Sequence, residues 1–102
     1  MCGIFVSTSK TFSERKKLNI VNSFLSSRGP DSGETIVIKN KISLLHRRLA
    51  IQDESLAGNQ PMYSSDGNLI IVYNGEIYNK NELIIYLKDK YNFELRSNCD
   101  TE

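Results

Sequence analysis

The stretch TIVIKNKISLLH, residues 35–46, contains two short apolar or β-branched runs on either side of a polar pair. Runs of this length and composition are typical of β-strands. Asn40 and Lys41 separate them, which predicts a hairpin turn, although Asn-Lys is a weaker turn signal than Asn-Gly. The centre of the chain is therefore predicted to be an antiparallel hairpin.

Upstream of this hairpin, the sequence predicts one strand and one helix. GIFVS at 3–7 is an apolar run of strand length. Thr11 and Glu14 have the spacing of a capping box, which predicts a helix over about 12–26. The turn-forming residues RGPDSG at 28–33 would end that helix. Its apolar face would consist of four side chains: Leu18, Val21, Phe24 and Leu25.

Downstream, the sequence predicts two further strands and a second helix. NLIIVYN at 68–74 is almost continuously apolar, which predicts a strand buried on both faces or between layers. A helix should begin near Asn79 or Lys80, with Asn79 as its cap, and run to about Tyr91. FELRS at 93–97 predicts a last strand. The helix would bury one stripe of side chains: Leu83, Ile84, Leu87 and Tyr91.

Length and charge limit the classes of function. With 102 residues the chain is one domain or part of one, and a net charge of +1 argues against a dedicated nucleic-acid binder. It lacks an apolar run long enough to span a bilayer, and its start does not resemble a signal peptide. We therefore expect a cytoplasmic protein without membrane partners, whose two cysteines are free thiols.

Cys2 is a candidate nucleophile because of its position. If Met1 is removed, the thiol and a free α-amino group belong to one residue, and the amine can act as the base for the thiol. Both groups have reference pKa values near ~8 to ~8.5, so each is within reach of its deprotonated form. The alternative is a small buried residue that enters a strand.

Three more candidates have suitable chemistry. Arg48 follows a predicted strand, where a guanidinium could hold a carboxylate in a two-bond fork, although a solvated arginine is the alternative. Arg47 would point the other way. Asn74 and Gly75 end the predicted strand at 68–74 and could donate to an oxyanion, although Asn-Gly is also a common tight turn.

Acidic residues complete the set of candidates. Asp100 and Glu76 each offer a carboxylate to an ammonium group, with a solvated surface charge as the alternative for both. His46 is the single histidine and has no ligand pattern around it, so we predict a structural role at a strand end and no metal site.

Six motifs that span the chain occur in an order and spacing similar to those of a known family. The set resembles the N-terminal glutaminase domain of class II glutamine amidotransferases, and within it the asparagine synthetases that use glutamine. The motifs are MCGIF at 1–5, RGPD at 28–31, HRRLAIQD at 46–53, NQPM at 59–62, YNGEIYN at 73–79 and CDTE at 99–102.

The resemblance implies a role for each candidate. Cys2 would attack the side-chain amide of glutamine with its α-amine as base, and Asn74 with the Gly75 N–H would form the oxyanion hole. Arg48 would hold the α-carboxylate. The α-ammonium would be held by Asp100 with help from Glu76. Four residues would line the pocket through their backbone: Leu49, Ala50, Ile51 and Gln52.

The resemblance also implies a fold and a larger enzyme. The fold would be α+β, a four-layer α/β/β/α sandwich of the N-terminal nucleophile hydrolases, of which residues 1–102 would be roughly the first half. Ammonia would pass to an ATP- and magnesium-dependent synthetase domain that amidates aspartate. That domain is absent from the sequence, and no cofactor is expected within residues 1–102. The expected partners are glutamine and the missing domain or a partner chain.

Two alternatives to this hypothesis remain open. The same glutaminase could supply ammonia to another acceptor, such as a surface sugar. The second alternative is a truncated, non-catalytic module that folds only with a partner or not at all, because half a sandwich would expose apolar sheet surface.

Overall fold

The computed structural model describes residues 1–51 and 53–102. Three antiparallel strands form its main sheet in the order β1–β3–β2, with β1 at Gly3–Ser7, β2 at Ser32–Ile38 and β3 at Ile42–Arg48. The register places Leu45 opposite Phe5 on one side and Thr35 on the other. The predicted strand at 3–7 and the predicted hairpin are confirmed, although β2 begins three residues earlier and β3 ends two residues later than predicted.

The hairpin turn lies one residue earlier than predicted. Lys39 and Asn40 adopt positive φ angles of 49° and 53°, and the Lys41 N–H donates to the Ile38 carbonyl at 2.9 Å. Asparagine tolerates this left-handed conformation better than most residues do. The sequence therefore identified the turn through Asn40, whereas Lys39 gave no signal.

Strand β3 is the centre of the core. Its residues from Ser43 to His46 are buried in succession, and the buried apolar side chains outside this strand include Leu18 from the first helix and Met62. Ser43 is satisfied because its hydroxyl donates to the Phe12 carbonyl at 2.7 Å. A central strand covered on both faces needs such partners for its polar groups.

The first helical segment begins differently from the prediction. A 3₁₀ turn spans Lys10–Ser13, and helix α1 spans Arg15–Leu25. The predicted capping box at Thr11 and Glu14 is wrong, because the Ser9 hydroxyl accepts the Thr11 N–H at 3.3 Å and caps the 3₁₀ turn. Glu14 precedes α1 without a side-chain cap and instead pairs with Lys17 at 3.3 Å.

The predicted apolar face of α1 is only partly correct. Leu18 is buried, but Phe24 is 80% exposed. An apolar stripe identifies the side that prefers burial, yet the part of the helix that the sheet covers depends on tertiary packing.

The segment at 68–74 contradicts the prediction of a long buried strand. Only Ile70–Ile71 form a strand, β5, which pairs with β4 at Met62–Tyr63. Leu69 is 72% exposed and Ile71 is 44% exposed. The ladder does not continue to Tyr73, because its N–H donates to the Gln60 side chain at 2.6 Å.

Helix α2 spans Lys80–Tyr91, so its predicted bounds are confirmed. Its cap and its buried stripe are not: Asn79 makes no side-chain cap, and Leu83 and Tyr91 are 39% and 61% exposed. Asn92 follows the last helical residue and caps the helix with a left-handed φ of 50°. Within residues 1–51 and 53–102, no helix has the length and apolar character needed to cross a bilayer.

The predicted strand at 93–97 is wrong. The backbone there is irregular, because the Glu102 carboxylate accepts the N–H groups of Arg96 and Ser97, each at 2.7 Å. These donors are thus satisfied without a neighbouring strand. The domain as a whole combines helices with antiparallel sheets, consistent with the α+β class.

Candidate active site

One cavity of about 500 Å³ opens beside the N-terminal end of β1. Segments from four distant parts of the chain meet around it. Gln52, the remaining predicted site residue, lies outside the described residues. The predicted site residues that line the cavity are Cys2, Arg48, Leu49, Ala50, Ile51, Asn74, Gly75, Glu76 and Asp100.

Cys2 is partly buried immediately before β1, and its thiol is fixed by the segment after β3. The Leu49 N–H donates to Sγ at 3.4 Å, and Sγ lies 3.9 Å from the Leu49 carbonyl oxygen. The Cys2 carbonyl accepts from the Asn74 side-chain amide and from Arg28, each at 3.3 Å. The Asn74 side chain is therefore bonded to the backbone of Cys2 across 72 positions of sequence.

The loop after β3 is anchored by the RGPD motif. The Asp31 carboxylate accepts the Ala50 N–H at 2.7 Å, and the Asp31 N–H donates to the Arg48 carbonyl at 3.1 Å. A Cβ at Gly29 would lie 2.3 Å from the Arg47 carbonyl carbon. Glycine is therefore required where the motif packs on β3, a role that sequence reasoning missed because it used the motif as a helix stop and as part of the family resemblance.

Arg48 is 7% exposed, so the alternative of a solvated arginine is wrong. Its guanidinium donates to the Ser55 carbonyl at 2.7 Å, to the Asn59 side-chain oxygen at 2.9 Å and to the Asp53 carbonyl. Further N–H groups of the guanidinium stay outside these three bonds, so it retains donors for a carboxylate.

Arg47 points away from Arg48, as the alternation of a strand predicts. Its side chain donates to the Gly29 carbonyl at 2.7 Å and to the Pro30 carbonyl at 3.3 Å. Of these two neighbouring arginines, only Arg48 lines the cavity.

Asn74 and Gly75 follow β5 and do not form the tight turn that is the alternative for Asn-Gly, because neither adopts the positive φ that its usual form requires. A Cβ at Gly75 would lie 2.5 Å from the Tyr73 hydroxyl. Glycine is therefore required at position 75, because the Tyr73 side chain packs directly against its backbone at the cavity wall.

Asp100 is a buried charge, so the alternative of a solvated carboxylate is wrong for it. Its side chain is 5% exposed, and one oxygen lies 3.0 Å from the Lys80 ammonium. The other oxygen accepts the Ile77 N–H at 2.8 Å. Asp100 therefore already holds one ammonium group, that of Lys80, while Glu76 lies exposed at the cavity rim.

Asp53 also lines the cavity, although sequence reasoning gave it no role. The Ser55 side chain, the Asn98 N–H and the Ser55 N–H lower the pKa of Asp53 to about 2. The backbone contacts are both 2.7 Å long. Because Asn98 is close to Asp100, Asp53 joins the loop after β3 to the acidic end of the site.

His46 lies inside β3 and is 1% exposed, so it is a core residue, not one at a strand end. Burial lowers the pKa of His46; the Tyr73 backbone acts against this, and the Arg48 charge acts with it. Within the described residues no group of three or more His, Cys, Asp or Glu side chains could hold a metal ion.

Other residues that sequence reasoning missed complete the wall of the cavity. Gln60 from the NQPM motif contacts both Tyr73 and Thr101 and is buried. Cys99 also lines the cavity, and both cysteines of the chain are free. Membership of a sequence motif was the only signal available for Gln60.

Comparison with known proteins identifies the domain. The model of the glutamine amidotransferase domain family matches residues 1–102. The chain belongs to this family. Cys2 and the other cavity residues all lie within this glutamine amidotransferase domain.

Curated relatives of this glutamine amidotransferase domain include asparagine synthetases. It is 42% identical to putative asparagine synthetase [glutamine-hydrolyzing] 2 of Methanocaldococcus jannaschii, over 86% of this chain and 20% of the relative. It is 46% identical to a probable asparagine synthetase [glutamine-hydrolyzing] of Schizosaccharomyces pombe, over 72% of this chain and 13% of the relative. It is 35% identical to asparagine synthetase B [glutamine-hydrolyzing] of Escherichia coli, over 96% of this chain and 17% of the relative. The chain thus spans between 13% and 20% of these relatives.

Proposed function

We propose that this glutamine amidotransferase domain hydrolyses glutamine to glutamate and ammonia, with Cys2 as the nucleophile after removal of Met1. One observation supports the proposal above all others: a single cavity is lined by Cys2, Arg48, Asn74, Gly75 and Asp100. A nucleophile, donors for an oxyanion and opposite charges for the two ends of an amino acid are the groups that this reaction requires.

The proposed reaction has two steps. The Cys2 α-amine takes the thiol proton, and sulfur attacks Cδ of glutamine, whose oxygen receives hydrogen bonds from the Asn74 amide and the Gly75 N–H. The C–N bond breaks as the amine returns the proton to nitrogen, which releases ammonia and leaves a γ-glutamyl thioester. Water then attacks the thioester, so that glutamate leaves and the thiol re-forms.

Substrate binding would use the charges at the two ends of glutamine. The remaining Arg48 donors would bind the α-carboxylate, and Asp100 with Glu76 would bind the α-ammonium. The Lys80 ammonium at 3.0 Å from Asp100 supports the view that this carboxylate accepts a cation. Residues Leu49, Ala50, Ile51 and Gln52 would contact the substrate through their backbone.

The whole protein is proposed to be a glutamine-dependent asparagine synthetase of the cytoplasm. This is supported by the relatives named above and by the small share of their length that the chain spans. A synthetase region would use ATP and magnesium to amidate aspartate with the ammonia produced here. Residues 1–102 would then be the N-terminal part of a four-layer sandwich.

A covalent glutamine analogue tests the nucleophile. The chain is incubated with a diazo-ketone analogue of glutamine, and its intact mass is read. We expect one adduct on chains that begin at Cys2, none in Cys2→Ala, and an unchanged adduct in Cys99→Ala. The Cys99 variant is the matched control, because that thiol lines the same cavity.

Two results would contradict the proposal. If the adduct is lost in Cys99→Ala but kept in Cys2→Ala, the reactive thiol is that of Cys99 and not that of Cys2. Chains that begin at Cys2 and stay unmodified would favour a non-catalytic module.

A further inference from the structure

Gln60 is a buried side chain whose amide is hydrogen-bonded at both its nitrogen and its oxygen. It is 7% exposed and lies on the wall of the cavity. Its Nε2 donates to the Thr101 hydroxyl at 2.7 Å, and its Oε1 accepts the Tyr73 N–H at 2.6 Å. Hydrogen bonds in a buried site are electrostatically stronger than at a surface, and their loss leaves polar groups unsatisfied.

The two partners of Gln60 are neighbours of residues with opposite roles in the proposed reaction. Tyr73 directly precedes Asn74, which would stabilise the oxyanion. Thr101 directly follows Asp100, which would bind the α-ammonium. A single side chain therefore connects the position where the amide of glutamine would react to the position where its amino group would be held.

We propose that Gln60 and Thr101 are positioning residues that fix the separation between the oxyanion donors and the ammonium site. This inference rests on the proposed function. Small errors in such a separation are costly to catalysis, because the reacting atoms must lie close to their final geometry. The pair thereby favours amides that carry an α-ammonium at the distance found in glutamine.

Two substitutions of Thr101 test the hydrogen bond between Thr101 and Gln60. Thr101→Val keeps the shape of the side chain but removes the hydroxyl, whereas Thr101→Ser keeps the hydroxyl. Thr35→Val is the matched control, because Thr35 is an exposed residue of β2 away from the cavity. All three are made in a Cys2→Ala chain, so that ligands bind without turnover.

Calorimetric titrations compare two ligands. L-glutamine carries the α-ammonium, and 4-carbamoylbutanoate is the same molecule without the amino group. We expect Thr101→Val to lower the affinity for L-glutamine about 3- to 10-fold, the range for one lost hydrogen bond. The affinity for the analogue should change by less than about 2-fold. Thr101→Ser and Thr35→Val should bind both ligands like the parent.

Gln60→Met gives a second measurement at the other end of the pair. It removes both hydrogen bonds, so we expect weaker binding of both ligands. Faster hydrogen exchange of the Tyr73 amide in Thr101→Val, relative to Thr35→Val, would report the loosened link even if Gln60→Met does not fold.

The outcomes separate the two proposals. If L-glutamine does not bind the parent chain, the proposed function fails and the positioning role fails with it. If L-glutamine binds but Thr101→Val affects both ligands equally, or neither, the positioning role is overturned while the proposed function stands.

Discussion

At the scale of single residues, the site depends on buried charges with fixed partners. Arg48 lies under the cavity with three acceptors, and Asp100 is paired with Lys80. Burial of a charge is costly unless it is paired and hydrogen-bonded. The charges that would select an amino acid are therefore also part of what holds the loops in place.

This dual role predicts the effect of Arg48→Lys. A lysine has no planar fork and cannot reproduce the contacts to Ser55, Asn59 and Asp53. We expect the free energy of unfolding to fall by about 2 to 3 kcal/mol, given typical values for hydrogen bonds to charged groups. We also expect weaker L-glutamine binding. Urea unfolding and calorimetric titration check the two effects.

Arg15→Lys is the control for this prediction. Arg15 is exposed at the start of α1, so its replacement should change the unfolding midpoint little. An Arg48→Lys protein as stable as Arg15→Lys would show that the buried hydrogen bonds contribute nothing.

At the scale of elements, β3 carries the loop that faces Cys2, and two glycines pack against it in different ways. A Cβ at Gly29 would meet the backbone of Arg47 at 2.3 Å, whereas a Cβ at Gly33 would meet the Arg47 side chain at 2.5 Å. Backbone in the middle of a sheet cannot move aside as easily as the end of a long side chain.

The two glycine variants should therefore differ in stability. We expect Gly29→Ala to lower the free energy of unfolding by about 3 kcal/mol or more, and Gly33→Ala by about 1 kcal/mol, since overpacking typically costs 1 to 3 kcal/mol. Equilibrium unfolding in urea measures both. Equal losses in the two variants would contradict the argument that the backbone contact decides the cost.

The elements that sequence reasoning predicted well are those determined by local signals. The hairpin was predicted from the apolar runs on either side of Asn40. The start of α2 was predicted from Asn79, although this residue makes no side-chain cap in the structure. The strands at 68–74 and 93–97 failed because the backbone bonds to side chains instead, to Gln60 and Glu102 respectively. Such contacts from a side chain to the backbone have no periodic pattern in a sequence.

At the scale of the whole molecule, the site forms because carboxylates connect segments that are far apart in the chain. Motif order alone grouped the residues that line the cavity, but it gave no sign of the link from Asp53 to Asn98, 45 positions away. Glu102 acts locally, because it binds the backbone of Arg96 and Ser97, which lie six and five positions away. These links make the stability of the fold sensitive to acid.

The pKa of Asp53 is lowered to about 2, first by the Ser55 side chain and then by the Asn98 N–H. For Glu102, burial acts to raise the pKa, but hydrogen bonds from Arg96 and Ser97 outweigh it and lower it. A carboxyl group with a lowered folded-state pKa stabilises the fold at pH values above its unfolded-state pKa. That contribution disappears as the pH falls through the folded-state value.

We therefore expect the urea midpoint to fall in two stages on acidification. Because burial lowers the pKa of His46, the unfolded chain takes up a proton there first, as the pH falls through about 6.5. The carboxyl groups add a further fall from their ordinary range, about 4, towards about 2. Asp53→Asn should be less stable than the parent near pH 6 and should show a shallower decline on acidification, because it no longer takes up a proton on unfolding. Asp89→Asn, an exposed change on α2, should keep the steep profile of the parent. If Asp53→Asn shows the same acid profile as Asp89→Asn, the link from Asp53 to Asn98 does not contribute to the pH dependence of the fold.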